Sequence, residues 1–222
     1  MDLRETQKND PLQRSVAKNL ETLEFSPMDP PDSYEPLKKE ELVAYQDMHP
    51  FLQKLNDEHI KFKKELDQFE EALLSVQEKG PRKESFHQFK EFFQFFDSEF
   101  LKHHQKEEKI LFPLLHKKLL ENGEHSHNEA PMTPVDMMEE DHIKILQTAS
   151  VCFNLLGMAP RLPQEKSSIV VLDTALEQGK SLIETVRLHI FREDNIILPL
   201  SHKHVSSNDI EASLKLYKKF SI

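Results

Sequence analysis

The sequence predicts an all-α protein: an antiparallel up-down four-helix bundle with a polar N-terminal arm and an extra C-terminal helix. Three observations carry that prediction. Four stretches repeat their apolar residues at alternating spacings of 3 and 4, the period of a helix with one buried stripe. The composition agrees, because 37% hydrophobic and 31% charged residues with only 4 glycines among 222 suit long helices that each bury one narrow face. The chain is also internally duplicated. His103-His104-Gln105-Lys106-Glu107-Glu108-Lys109-Ile110-Leu111-Phe112-Pro113 returns, changed, as His189-Ile190-Phe191-Arg192-Glu193-Asp194-Asn195-Ile196-Ile197-Leu198-Pro199. Upstream, Asp57-Glu58-His59-Ile60-Lys61 returns as Glu140-Asp141-His142-Ile143-Lys144. Each half therefore carries one histidine and then a His-x-x-x-Glu pair.

Residues 1–36 are polar and close with Pro27, Pro30, Pro31 and Pro36, the composition of an arm and linker; a short helix is expected from Leu12 to Phe25. The bundle is expected over 37–205. Its first seam is Leu52, Leu55, His59, Phe62, Leu66, Phe69 and Leu73, with Pro50 suited to the first turn and Gly80-Pro81 as the stop. The second, expected to be unbroken, is Phe86, Phe89, Phe93, Phe96, Phe100, His103, Glu107, Ile110 and Leu114. A polar crossover over 122–133 joins the halves. The third seam is Val135, Met138, His142, Ile145, Ala149, Cys152 and Leu156, ended between Gly157 and Pro163. The fourth is Leu172, Ala175, Gly179, Leu182, Val186, His189, Glu193, Ile196 and Leu200, whose small Ala175 and Gly179 are expected to accommodate phenylalanines opposite. An amphipathic segment within 206–222, Ser207 to Phe220, is expected to pack outside the bundle.

Six polar residues occupy core positions: His59, His103, Glu107, His142, His189 and Glu193. A buried carboxylate without a partner is disfavoured by several kcal/mol, roughly. Histidine four residues before glutamate puts an imidazole and a carboxylate one turn apart on one face. Two such helices and two further histidines could converge on a pair of metal ions bridged by the carboxylates. The single cysteine, Cys152, rules out a disulfide framework and Cys-rich metal sites, so any ligands are nitrogen and oxygen. Imidazole with carboxylate suits iron, and imidazole also takes zinc, copper and nickel. The bland alternative is a set of satisfied core polar groups.

His104 lies about 100° round the helix from His103, and reads either as an extra ligand or as a seam-edge or exposed histidine. His49, His87, His116, His125, His127, His202 and His204 are left outside the candidate set. Cys152 reads as a small buried hydrophobe. A formal net charge of −10 speaks against nucleic acid as a partner. No apolar run approaches the roughly 20 residues of a spanning helix, and the start lacks a signal-peptide core, so a cytoplasmic location is expected.

The same strings resemble the hemerythrin-like proteins, including the HHE cation-binding domains, over roughly residues 45–205. The resemblance is carried by His59, by His103-x-x-x-Glu107-Glu108-x-x-Leu111-Phe112-Pro113, by His142 after Glu140-Asp141, and by His189-x-x-x-Glu193. It implies a hemerythrin-like bundle around a non-heme, carboxylate-bridged centre of two Fe ions. His59 and His103 would ligate one iron, His142 and His189 the other, and Glu107 and Glu193 would bridge them. An open coordination position would take a small diatomic ligand, dioxygen or nitric oxide. The oxygen carriers of the family have a further histidine four residues after the one matching His142, where this chain has Leu146. His104 and Glu139 are the candidates to replace it.

The expected function is therefore a di-iron protein that binds or senses dioxygen, nitric oxide or iron. One alternative is a di-iron redox enzyme or an iron donor in repair of iron centres. Family members proposed for repair often carry a cysteine-containing N-terminal domain, and this arm has no cysteine. A second alternative is a metal-free or zinc-bound interaction module that docks an unknown protein partner through its arm and terminal helix.

Overall fold

Proline, a histidine cap and a left-handed glycine fix the ends of the first long helix, α1 (Pro50–Lys79). Pro50 occupies the first turn, where its missing N–H is no loss. His49 Nδ1 accepts from the Phe51 amide at 3.1 Å, so this histidine serves as a cap. Gly80 closes the helix at φ 77, a conformation that side-chain-bearing residues resist. A 3₁₀ turn, Tyr45–Asp47, precedes it. The computed structural model describes residues 43–126 and 131–220, with only the backbone of Lys218 and Phe220; the arm, its expected Leu12 to Phe25 helix and His127 lie outside the described residues.

The second long helix is not the unbroken one expected. It runs through α2 (Lys83–Phe95), a π turn (Phe96–Phe100), α3 (Leu101–Lys106), a second π turn (Glu107–Leu111) and α4 (Phe112–Asn122). The third, α5 (Pro134–Met158), starts at a capping box between Thr133 and Asp136 and ends in a 3₁₀ turn, Ala159–Arg161. The fourth comprises α6 (Glu165–Arg192), a π turn (Glu193–Ile197) and α7 (Leu198–His204), and α8 (Ser207–Phe220) follows.

Two of the π turns have a cause in the sequence. Pro113 and Pro199 each fall two residues behind one, and proline inside a helix lacks an N–H and clashes with the carbonyl four residues back. A turn closed by an i→i+5 bond makes room for the ring. Each π turn adds one residue, which rotates the rest of the helix by about 100°. The seams shift accordingly. Leu115 and Ser201 are fully buried where Leu114 and Leu200 were expected, and those two leucines are only partly buried.

Contacts between successive long helices run in opposite senses. Phe62 meets Phe95 and Phe100, while Phe69, further along α1, meets Phe89 and Phe92. Phe93 meets Phe153 and His104 meets His142. His142 meets His189, and the Cys152 thiol reaches the Ala175 carbonyl. Arg187 pairs with Asp67 and Glu70, and His59 with Asp194. Gly179 makes room for Leu73 rather than for a phenylalanine: a Cβ there would lie 2.8 Å from Leu73 Cδ1.

Every long helix passes through the same three layers. A phenylalanine-rich cluster contains Phe62, Phe69, Phe93, Phe100, Ile145 and Val186. An aliphatic cluster contains Leu52, Leu55, Leu115, Met138 and Ile197, with Ile210 of α8. The six polar candidates lie between them in chain order on all four helices. The described residues contain no strand, and no helix among them is long and apolar enough to cross a membrane.

Candidate metal centre

His59, His103, Glu107, His142, His189 and Glu193 converge within the buried layer, none more than 1% exposed. Each glutamate divides its oxygens between the two halves of the chain. Glu107 Oε1 lies 3.3 Å from His103 Nε2, and Oε2 lies 3.5 Å from His142 Nε2. Glu193 Oε2 lies 3.1 Å from His59 Nε2, and Oε1 lies 3.1 Å from His189 Nε2. Two groups result, each with ligand atoms within 4.8 Å of one another: His59, His103, Glu107 and Glu193; and His104, Glu107, His142 and His189.

His104 is buried beside them. It is 3% exposed, so it is not a surface histidine, and its ring stacks on that of His142 at 3.5 Å and 9°. It can be buried beside His103 because the second long helix faces two neighbours: His103 looks toward His59 of α1, and His104 toward α5. Leu146 is 39% exposed, and Glu139 is exposed and joins neither group.

Four acidic residues of the site escaped the sequence reading. His103 Nδ1 donates to Glu58 at 2.8 Å, His142 Nδ1 to Glu108 at 2.7 Å, and His59 Nδ1 to Asp194 at 2.6 Å, while His189 Nδ1 stands 3.8 Å from Asp141. Each acid is a sequence neighbour of a seam residue, and so lies about 100° round its helix, toward the next one. The pattern is cyclic: an acid on each long helix faces the histidine of the following helix, and one on the fourth faces α1. The available signal was the repetition of an acid beside a seam residue at all four places. Behind them, Lys106 pairs with Glu58, Lys63 with Asp194 at 2.7 Å and Arg192 with Asp141 at 2.6 Å.

The charges follow from this packing. Burial pushes the Glu58 carboxyl up, but hydrogen bonds from His103 and Lys106 outweigh it and bring it down to about 2. Burial pushes the His189 imidazole down, but the Glu193 charge and Asp141 overcome that and hold it at about 10. His103 is likewise raised well above its ordinary value, against burial, by Glu107 and Glu193. His104 goes the other way, driven well down by burial and by the neighbouring His142 and His189.

These residues fit a metal cation. Both nitrogens of His104, both oxygens of Glu107 and Glu193, and the Nε2 atoms of His142 and His189 are buried without a hydrogen-bond partner. His59 Nε2 and His103 Nε2 face each other at 3.1 Å. Nδ1 of His59, His103 and His142 donates outward to a carboxylate, so each of these rings, once a cation displaces any Nε2 proton, turns a lone pair inward, as in carboxylate–histidine–metal arrangements. Orphaned buried polar atoms of this kind cost about 1–3 kcal/mol each, and a cation amid the lone pairs removes that cost. An apolar cavity of about 10 Å³ for the centre of a water-sized molecule lies alongside. It is lined by Phe62 and Phe100, which touch the rings of His103 and His104.

Three other histidines have ordinary roles. His116 bonds Thr133 Oγ1, His204 bonds Asn122, and His87 faces Glu91 on the surface. Cys152 is fully buried, joins neither group of candidate ligands, and burial pushes its thiol up to about 12.

A bundle of long helices that brings together two adjacent buried groups of imidazoles and carboxylates defines a class of helical protein able to hold metal cations. The family comparison narrows the class: residues 51–201 match the model of the hemerythrin HHE cation binding domain, well over half of the chain, and the chain belongs to that family. No curated protein and no solved structure matches it.

Proposed function

We propose that the chain holds two iron ions and uses them to bind or sense dioxygen or nitric oxide, or to respond to iron itself. His59 and His103 would ligate one ion; His142 and His189, joined by His104, the other; Glu107 and Glu193 would bridge. The observation that carries this reading is the division of each glutamate's oxygens between a histidine of each half. Bound iron would supply an open coordination position for the diatomic ligand. The chain's own part is to hold His59, His103 and His142 by their Nδ1 atoms and to enclose the layer between two apolar clusters that exclude water. The phenylalanine-lined cavity lies behind Phe62 and Phe100, whose rings separate it from His103 and His104. His104 takes up the place that Leu146 leaves open.

The test is the metal content of protein purified without chelator and after anaerobic reconstitution with ferrous ion, together with visible absorption in air. Near two irons per chain is expected. No iron after reconstitution would overturn the reading in favour of an interaction module. Stable adducts with nitric oxide or dioxygen mark a binder, and steady turnover of nitric oxide or peroxide a redox enzyme.

A further inference from the structure

Glu107 belongs to both groups and Glu193 reaches a histidine of each, but the two groups are held differently from behind. In the first, His59 donates to Asp194 at 2.6 Å, and Asp194 is itself fixed by Lys63 at 2.7 Å and by Asn56 Nδ2 at 3.0 Å. His103 donates to Glu58 at 2.8 Å, and Glu58 is fixed by Lys106. Both carboxylates are largely covered, at 18% and 16% side-chain exposure.

The second group has only part of this support: Asp141 is covered, at 13% side-chain exposure, and held by Arg192, but the hydrogen bonds to the rings are fewer and less protected. His142 donates to Glu108, whose side chain is 46% exposed and which no cation faces among the described residues. His189 stands 3.8 Å from Asp141 Oδ2, beyond hydrogen-bond distance, and Arg192 holds that same oxygen at 2.6 Å. His104 has no partner on either nitrogen.

We propose that the two positions exchange metal unequally: the ion beside His59 and His103 is retained, and the ion beside His104, His142 and His189 is the one traded with solvent. This rests on the reading that the chain binds two cations. A ligand histidine whose outer hydrogen bond is secure stays in place when thermal motion stretches the metal bond; one without it turns away. Outer partners of this kind are worth about 10–100-fold in metal affinity. The second position has a third imidazole, which raises its preference for nitrogen-seeking metals. A ring with no hydrogen bond to lose, however, does not slow release. The chain would thus populate a one-metal form over a range of free metal concentration, which is the behaviour a reporter of divalent metal needs.

The experiment follows release of ferrous ion from the full, doubly loaded chain into excess chromogenic chelator under anaerobic conditions. Two phases of equal amplitude are expected, with rates about 10-fold or more apart. Glu108→Ala should accelerate the fast phase alone, Glu58→Ala the slow phase alone, and Glu108→Asp should restore the fast phase toward its original rate. Release of both ions in one phase would overturn this inference while leaving the two-ion reading intact, and needs no variant. So would acceleration of the slow phase by Glu108→Ala in a chain whose thermal unfolding is unchanged. Failure to take up any metal would overturn both.

Discussion

Around Phe69 the bundle is closed on itself: Phe92 stacks on it at 4.0 Å, and Phe89 and Phe93 meet it edge-on at 5.6 and 5.8 Å. Around Glu107, elsewhere in the same bundle and just as buried, both carboxylate oxygens lack a hydrogen-bond partner. The first environment gains free energy from every atom it covers. The second costs free energy in the metal-free chain, because desolvated charges and lone pairs are set close together without their counterpart. The apolar layers on either side hold four helices in a register that the polar layer alone would not choose. Burial by itself therefore says nothing about stabilisation; what matters is whether the buried atoms are satisfied.

Substitution separates the two layers. Phe69→Ala should lower the unfolding free energy by about 3–5 kcal/mol, read by denaturant melts, with metal per chain unchanged. Glu107→Ala should do the reverse: metal content falls at both positions, since its two oxygens face one histidine in each. The stabilisation that metal gives the parent, about 2.7 kcal/mol at a free concentration 100 times Kd, should vanish with it. Retention of both ions by Glu107→Ala would remove that residue from the ligand set. Gly179→Ala tests the apolar side more gently. The added methyl presses on Leu73, an overpacking cost of about 1–3 kcal/mol, offset by about 1 kcal/mol of helix propensity. A net loss of about 1 kcal/mol is expected, with the metal untouched.

A further effect is in the pH dependence. The Glu58 carboxyl is held at about 2 against an ordinary 4.5. Its contribution to the metal-free fold is therefore complete above 4.5 and is lost as pH falls toward 2. Acid titration of Glu58→Gln, followed by circular dichroism without metal, should lack that part of the transition. An unchanged acid profile would show that the pairing with His103 and Lys106 adds nothing.

Helical spacing made the layers legible before any coordinates. Leu52 through Leu73 and Val135 through Leu156 lie where their period puts them, as do His59, His103, Glu107, His142, His189 and Glu193. Legibility stopped where the backbone departs from 3.6 residues per turn. Leu114 and Leu200 were misplaced because a π turn has no periodic signature, although the proline repeated behind it was in plain view. His104 was ambiguous because a sequence shows the face of one helix but not how many neighbours that helix has. Glu58, Glu108, Asp141 and Asp194 were passed over because an acid beside a buried position resembles an ordinary solvated face; only the partner histidine, on another helix, gives it a role.

The π turns at Glu107–Leu111 and Glu193–Ile197 also bear on changes of chain length. Each holds one residue more than the α-helix would need over the same span. A one-residue deletion in α2 would turn everything after it by about 100° and carry His103 and Glu107 out of the layer. The same deletion inside a π turn keeps both ends in register, at the cost of the room that Pro113 or Pro199 has there.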